Sequence, residues 1–231
     1  MSDPASDAQR RVYDEQAEAY DALVSAEDAD GELPRALLVH VQRGAVVADV
    51  GAGTGRITRV LGDVPSHVHL IERAAPMLDV ARRRLAAGAT PCSFHLADAT
   101  ALPLDDASVD VAIAGWVFGH FRHWMPDGWR DEVEQALGEL RRVVRPGGRT
   151  LVIETLGTGH ATPRAHAALD EYFAFLEERG FSRTWIRTDY AFEDVATAAR
   201  VCGAFFGEAL VAKIRESGWA RVPECTAVFS R

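Results

Sequence analysis

Three glycines at alternating positions follow a short apolar segment and form the part of the sequence best suited to hold a ligand. The segment from Val46 to Arg56 reads V-V-A-D-V-G-A-G-T-G-R, with Gly51, Gly53 and Gly55 in its turn. Because glycine has no Cβ, such a turn adopts positive φ angles and lets a ligand approach the backbone closely. The spacing differs from the dinucleotide fingerprint G-x-G-x-x-G, whose third glycine would stand where Arg56 does.

Two further acids follow the next two apolar runs. Glu72 ends the run H-V-H-L-I about twenty residues after the glycine turn, where a carboxylate can accept hydrogen bonds from the vicinal hydroxyls of a ribose. Enzymes that use NAD and enzymes that use S-adenosylmethionine share this feature, so Glu72 alone does not separate them. Asp98 follows the run Cys92–Leu96 and lies in the segment A-D-A-T-A-L-P-L. Ligands of doubly wound sheets bind at the carboxyl ends of the strands, where these acids are predicted to lie.

An aromatic segment with one imidazole, G-W-V-F-G-H-F, follows the fourth apolar run. Its His120 is the best single candidate for a general base near neutral pH. A structural role for this histidine among aromatic side chains is the alternative. Trp116 and Trp124 are candidates for an apolar wall against a substrate or a cofactor.

Polar side chains also follow the fifth and sixth predicted strands. Thr155, Thr158 and His160 come after the fifth strand, and Asp189 and Tyr190 end the sixth. These residues are candidates for a substrate pocket, with loop and cap roles as the alternative. The predicted substrate-binding residues are Trp116, His120, Thr155, His160, Tyr172 and Tyr190.

Four segments, in order, resemble the motifs of class I S-adenosylmethionine-dependent methyltransferases. They are D-V-G-A-G-T-G, the acid Glu72, A-D-A-T-A-L-P-L and R-V-V-R-P-G-G-R. The resemblance extends from Val46 to Glu154. Within this family the chain is similar to the small-molecule branch of type 11, whose members resemble enzymes of ubiquinone and menaquinone biosynthesis. The resemblance implies S-adenosylmethionine as the cofactor, with the glycine turn around its amino-acid part and with Asp98 and Ala99 at its adenine.

The resemblance also implies a set of cofactor-binding residues. Tyr20 belongs to the segment Y-D-E-Q-A-E-A-Y-D, which is similar to one that helps to close the site in small-molecule methyltransferases. Packing of this tyrosine against the domain is the alternative. The predicted cofactor-binding residues are Tyr20, Asp49, Gly51, Ala52, Gly53, Thr54, Gly55, Glu72, Arg73, Met77, Asp98, Ala99, Gly115 and Trp116.

The implied reaction is an in-line methyl transfer to a small-molecule acceptor, for which the protein mainly positions the two reactants. A base is needed only if the acceptor must lose a proton. No paired carboxylates with a nearby Asn or His have the spacing of a Mg²⁺-dependent enzyme, so the sequence predicts a metal-independent reaction. Two alternatives stay open: an NAD-dependent oxidoreductase, against which Arg56, Asp98 and Ala99 argue, and a non-catalytic relative that binds the cofactor or nothing.

The elements that must position these residues alternate between strands and helices. This order requires parallel pairing with right-handed crossovers, and it predicts an α/β, doubly wound, Rossmann-like sheet of seven strands with an antiparallel last strand. Strands are predicted at residues 46–50, 67–71, 92–96, 108–114, 149–154, 184–190 and 221–230. Helices are predicted from residue 11, over 32–42, 57–61, 75–87, 129–144 and 163–180, and over 193–217 with a break near Gly203 or Gly207.

We expect one methyltransferase domain over residues 1–231. Residues 1–43 would supply N-terminal helices and a lid, with the first ten residues disordered. Residues 44–154 would form the cofactor-binding core, and residues 155–231 would form a substrate-side elaboration and the last strands. The segment 155–162 is predicted to be a loop.

Composition narrows the class of partner. The chain has 231 residues, a formal charge of −9 and 48% hydrophobic residues, so bulk electrostatics argue against nucleic acid and anionic membranes as partners. Three widely spaced cysteines favour a reducing cytoplasm, and no stretch is long and apolar enough to span a bilayer. The sequence predicts no signal peptide and leaves the oligomeric state open.

Overall fold

Nine strands and nine helices occur in the part of the chain that the computed structural model describes, which is residues 15–231 without the side chain of residue 123. The strands are β1 (Val46–Val50), β2 (His67–Glu72), β3 (Cys92–Leu96), β4 (Val109–Gly115), β5 (Val144–Thr158), β6 (Ser182–Arg187), β7 (Tyr190–Ala191), β8 (Arg221–Val222) and β9 (Glu224–Ser230). The helices are α1 (Ala17–Ser25), α2 (Glu32–Leu38), α3 (Arg56–Leu61), α4 (Ala75–Leu85), α5 (Phe118–Trp124), α6 (Trp129–Val143), α7 (Ala167–Glu178), α8 (Val195–Phe206) and α9 (Glu208–Ser217). The predicted start of the first helix, at residue 11, lies outside the described residues.

Seven of these strands form one sheet in the order β3-β2-β1-β4-β5-β9-β6. The pairs from β3 to β5 are parallel, whereas β9 pairs antiparallel with both β5 and β6. The predicted doubly wound sheet with an antiparallel last strand is therefore confirmed. Strands β7 and β8 form a separate antiparallel pair.

Helices cover both faces of the sheet, which explains why its central strands are mostly apolar. On one face, Val152 packs with Leu137 and Leu140 of α6. On the other face, Leu151 packs with Leu33 of α2 and Leu61 of α3. Successive residues of β5 thus enter different clusters, as the alternation of a strand requires. All six side chains are 0–1% exposed.

The fifth strand is longer than predicted at both ends. The helix α6 ends at Val143, and residues 145–148, R-P-G-G, belong to β5, where Val144 pairs with Val109. A Cβ on Gly148 would lie 2.4 Å from the Asp110 carbonyl oxygen, so glycine permits this close approach. At the far end the expected loop 155–162 is wrong for residues 155–158, because β9 pairs with them up to Thr158.

Several other helix and strand boundaries differ from the predicted ones. Helix α5 was not predicted, and the predicted helix over 32–42 ends at Leu38. The predicted strand over 184–190 divides into β6 and β7, and the last strand divides at Pro223 into β8 and β9. The expected helix break occurs at Gly207, whose φ is 78°. Within residues 15–231 no helix combines the length and apolarity needed to cross a membrane.

Candidate active site

A cavity of about 80 Å³ lies at the carboxyl ends of β1, β2, β3 and β4. It receives side chains or backbone from the glycine turn, from the ends of these strands and from α1 and α5. The lining residues are Tyr20, Gly51, Gly53, Ile71, Glu72, Arg73, Ala74, Ala97, Asp98, Ala99, Gly115, Trp116, Val117, His120, Phe121 and Trp124. Its place at the sheet edge is the one that the sequence predicts.

The glycine turn packs closely against its neighbours, and at Gly51 it leaves no room for a side chain. Gly51 has a φ of 66°, and a Cβ there would lie 2.2 Å from Cγ2 of Val117. Gly53 has a φ of 54° and would place a Cβ 3.7 Å from the ring of Tyr20. Alanine at Gly51 would therefore clash and strain the backbone, and the turn leaves its own backbone open to the cavity.

Glu72 joins the end of β2 to the glycine turn. Its carboxylate accepts hydrogen bonds from the backbone N–H groups of Gly53 (3.0 Å) and Ala74 (2.8 Å). The side chain is buried, and burial raises its pKa although these hydrogen bonds oppose the shift. A carboxylate has about four acceptor positions, so capacity remains for ligand hydroxyls.

Asp98 and Ala99 present an acceptor beside a donor. The Asp98 Oδ1 atom accepts hydrogen bonds from Thr100 N (3.0 Å) and Thr100 Oγ1 (2.9 Å), which fixes the side chain. Among residues 15–231, neither Asp98 Oδ2 nor the Ala99 N–H group has a hydrogen-bond partner. Both residues line the cavity, so this edge suits a ring with one amino group next to one ring nitrogen.

Aromatic side chains form one wall of the cavity. The His120 ring stacks on Trp124 with 4.9 Å between centroids and 10° between planes. The Arg73 guanidinium carbon lies 5.6 Å from the Trp124 centroid. Trp116 has a φ of 56°, and the Arg56 guanidinium carbon lies 3.6 Å from its ring centroid. Trp116 and Trp124 therefore both line the cavity, with a cation stacked against Trp116.

A buried carboxylate holds α5 in place. Glu154 of β5 accepts hydrogen bonds from Gly119 N (2.9 Å) and from Tyr172 Oη (3.0 Å). Burial raises the pKa of Glu154 to about 7. Tyr172, predicted to bind the substrate, is 0% exposed, donates its hydroxyl to this bond and lies outside the lining of the cavity.

The structure brings ten of the predicted site residues to the cavity and leaves nine away from its lining. Asp49 is buried and accepts hydrogen bonds from Thr58 N (3.1 Å) and Oγ1 (2.7 Å), so it anchors α3. Burial raises its pKa to about 6. Met77 packs in a small core with Ala17 and Val80, beneath Tyr20. The predicted residues outside the lining are Asp49, Ala52, Thr54, Gly55, Met77, Thr155, His160, Tyr172 and Tyr190.

Five apolar residues of the lining were not predicted. Ile71, Ala74 and Ala97 are direct neighbours of the acids Glu72 and Asp98 or lie two residues away, and this closeness was the available signal. Val117 immediately precedes α5 and Phe121 lies within it, and the sequence pattern gave no sign of that helix. Within residues 15–231 no group of three or more His, Cys, Asp or Glu side chains could hold a metal ion, and metal independence stays a prediction.

Comparisons with known proteins point to one family. Residues 48–152 match a family model described as a methyltransferase domain. The chain is 34% identical over 149 residues to a demethylmenaquinone methyltransferase of Clavibacter sepedonicus, covering 62% of this chain and 56% of the relative. It is 33% identical over 152 residues to a malonyl-acyl-carrier-protein O-methyltransferase of Pseudescherichia vulneris, covering 66% and 54%. The chain thus spans about half the length of the curated relatives it matches.

The fold is shared with solved structures. One is phosphoethanolamine N-methyltransferase 2 of Haemonchus contortus, solved with S-adenosylhomocysteine and its phosphomonomethylethanolamine ligand. It matches with a TM-score of 0.59 and 16% identity, over 95% of this chain and 57% of that one. At this identity the likeness shows the fold and does not extend to the substrate.

Proposed function

We propose that the chain, whose residues 48–152 match the model of a methyltransferase domain, is a class I S-adenosylmethionine-dependent methyltransferase and that it methylates a small-molecule acceptor. The observation that carries this proposal is the convergence of the glycine turn, Glu72 and Asp98 on one cavity. Three separate stretches of sequence supply these groups, and each has the chemistry that one part of the cofactor needs.

The residues present fit the cofactor. Glu72 is placed to accept hydrogen bonds from ribose hydroxyls, because its carboxylate lines the cavity and retains acceptor capacity. The open Asp98 Oδ2 and Ala99 N–H group fit the amino group and a ring nitrogen of adenine. The backbone of Gly51 and Gly53 would hold the amino-acid part. When bound, S-adenosylmethionine supplies a methyl group on a positively charged sulfur.

Arg56 supports this cofactor over a dinucleotide. It occupies the position of the third dinucleotide glycine, and its side chain is ion-paired with Glu27 and stacked on Trp116. Close packing of helix on strand, the purpose of that third glycine, is therefore replaced by a buried charged side chain. No described feature of the site favours NAD.

The remaining contributions of the protein are positioning and proton handling. Tyr20 and Trp116 line the cavity and would restrict the acceptor to one approach, which is the main requirement of a displacement reaction. His120 also lines the cavity, and we propose it as the proton acceptor for substrates that must lose a proton. Metal independence, a cytoplasmic location and the absence of nucleic-acid or membrane partners belong to the same proposal, as does the assignment of residues 1–231 to one domain.

Replacement of Asp98 by alanine tests the cofactor site. The D98A variant loses an acceptor for the adenine amino group, so we expect its affinity for S-adenosylmethionine to fall by at least about tenfold. Calorimetric titration measures this affinity. The exposed Asp105, in the same connection between β3 and β4, provides the matched control D105A, which should bind as the wild type does. Equal affinity of a folded D98A variant and the wild type would refute the assignment.

A further inference from the structure

Trp116 lies in the cavity wall with a backbone conformation that a bulky side chain rarely adopts. Its φ is 56°, in the left-handed region, directly after the end of β4. Its N–H group donates a hydrogen bond to the carbonyl oxygen of Ile153 (2.7 Å), so the backbone is tied to β5 at this point. A strained conformation persists only where surrounding contacts hold it, and such residues cluster at functional sites. The contacts of the Trp116 ring therefore bear on how the cavity works.

The guanidinium group of Arg56 covers one face of the Trp116 ring. Its Cζ atom lies 3.6 Å from the ring centroid, a distance that is possible only over the face of the ring. Arg56 is 8% exposed and does not line the cavity, whereas Trp116 is half-buried and does. Attraction between a cation and an aromatic ring is strongest where water is excluded. Arg56 thus supports the ring from behind the cavity wall.

A buried carboxylate holds Arg56 in place. The Arg56 Nη2 atom lies 2.7 Å from Oε1 of Glu27, and the two side chains are 10% and 2% exposed. An apolar pair of similar volume would stabilise a protein interior at least as well as a buried ion pair. Stability alone therefore does not account for two charged side chains behind the cavity wall.

The ion pair connects two walls of the cavity. Glu27 lies two residues after the end of α1, whose Tyr20 lines the cavity, and Arg56 begins α3. Burial raises the pKa of Tyr20 to about 12, while the charge of Arg56 opposes this shift and the charge of Glu27 adds to it. Both charges therefore act on Tyr20 as well as on the contact with Trp116.

The packing of α3 on β4 keeps Arg56 and Trp116 together. Ile57 follows Arg56 in the chain, and Gly115 precedes Trp116. A Cβ on Gly115 would lie 3.2 Å from Cγ1 of Ile57, so the helix and the strand are close at this point. The fold thus brings the guanidinium group to the ring, and the ion pair with Glu27 orients it.

We propose that Arg56 is a positioning residue of the methyltransferase: it holds the Trp116 ring in the cavity wall, where the ring contacts the bound cofactor. Glu27 serves this task by orienting Arg56. This inference rests on the proposed function, because it takes the cavity as the cofactor site. Without the guanidinium group behind it, the ring turns away from its place in the wall, and the cofactor loses a contact surface.

The variant R56K separates the support of the ring from the ion pair. Lysine keeps a positive charge for Glu27, so the fold is retained, but its ammonium group is not flat and covers the ring poorly. We expect calorimetric titration to show that R56K binds S-adenosylhomocysteine at least about fivefold more weakly than the wild type. The matched control R43K changes an arginine whose side chain is 73% exposed and should bind as the wild type does.

A double-mutant cycle shows whether Arg56 acts through Trp116. In the W116L background the ring is absent, so R56K should change the affinity for S-adenosylhomocysteine by less than about twofold. Near-ultraviolet circular dichroism gives a second measurement that requires no ligand. The spectrum of R56K should differ from that of the wild type in the tryptophan region, and this difference should disappear between W116L and R56K/W116L.

The outcomes separate this inference from the proposed function. Wild-type affinity of R56K, an equal loss of affinity in the W116L background, or an unchanged tryptophan spectrum of R56K would each overturn the inference. A merely structural role of Arg56 would lower the free energy of unfolding and leave the affinity and the spectrum of the folded R56K unchanged. The comparison of R56K with the wild type decides the matter even if W116L does not fold. Failure of the wild type to bind S-adenosylhomocysteine would instead contradict the proposed function.

Discussion

Individual carboxylates in this protein perform two distinct tasks. Glu72 and Asp98 face the cavity at the ends of strands, and each keeps acceptor capacity for a ligand. Glu154 and Asp49 lie in the interior and accept hydrogen bonds that fix α5 and α3. The sequence placed the first pair at the sheet edge where the cavity lies, because acids after apolar runs at the expected spacing are visible in it. It also placed Asp49 at the cofactor, since a strand-end acid shows its position but not its direction.

The raised pKa of Glu154 makes stability depend on pH. In the folded state this pKa is about 7, against 4.5 for an ordinary glutamate, so the folded protein binds the proton more tightly. The resulting stabilisation is complete below about pH 4.5 and is lost as the pH rises through about 7. We expect the free energy of unfolding of the wild type, relative to E154Q, to fall by up to about 1.4 kcal/mol per pH unit in this window. Urea unfolding of both proteins from pH 5 to pH 8 measures the difference, and parallel pH profiles would contradict it.

At the scale of elements, the helix α5 is the main feature that the sequence did not reveal. Its seven residues, F-G-H-F-R-H-W, have no polar face of helical period, and the structure supplies the missing reason for their fold. Glu154 accepts a hydrogen bond from the N–H group of Gly119 near the start of the helix. A Cβ on that glycine would lie 2.9 Å from Glu154 Oε2. These contacts join residues 35 positions apart, so no local pattern could show them.

Ion pairs hold the helix α1 over the cavity. Because their carboxylate is buried, we expect them to stabilise the position of this helix. Asp21 is 0% exposed and pairs with Arg59 of α3 (3.1 Å) and with Arg84 of α4, so its ion pairs join α1 to both of these helices. Because Tyr20 of the same helix lines the cavity, we expect D21N to weaken the binding of S-adenosylmethionine and to speed proteolysis near α1. Calorimetry and limited trypsin digestion measure the two effects.

The neighbouring Glu18 supplies a matched control for this prediction. It pairs with Arg83, but both side chains are more than 60% exposed, and exposed pairs contribute little. The E18Q variant should therefore keep the affinity and the protease resistance of the wild type. If D21N and E18Q behaved alike, the ion pairs of α1 would have no part in holding the helix over the cavity.

At the scale of the whole molecule, the order of strands and helices could be predicted and the convergence of distant residues could not. The alternation of elements demands a parallel sheet, and the seven-stranded order with an antiparallel β9 confirms it. In contrast, Glu27 and Arg56 meet Tyr190 and Glu224 from the other end of the chain. Sequence spacing carries no information about such contacts.

Thermal unfolding with and without S-adenosylmethionine, S-adenosylhomocysteine and NAD⁺ tests the central claim most directly. A ligand at a hundred times its dissociation constant adds about 2.7 kcal/mol to stability, which raises the midpoint of a chain of this size by several degrees. The structure predicts stabilisation by the two sulfur-containing ligands and none by NAD⁺. Stabilisation by NAD⁺ alone, or by no ligand, would contradict the assignment of the cavity to S-adenosylmethionine.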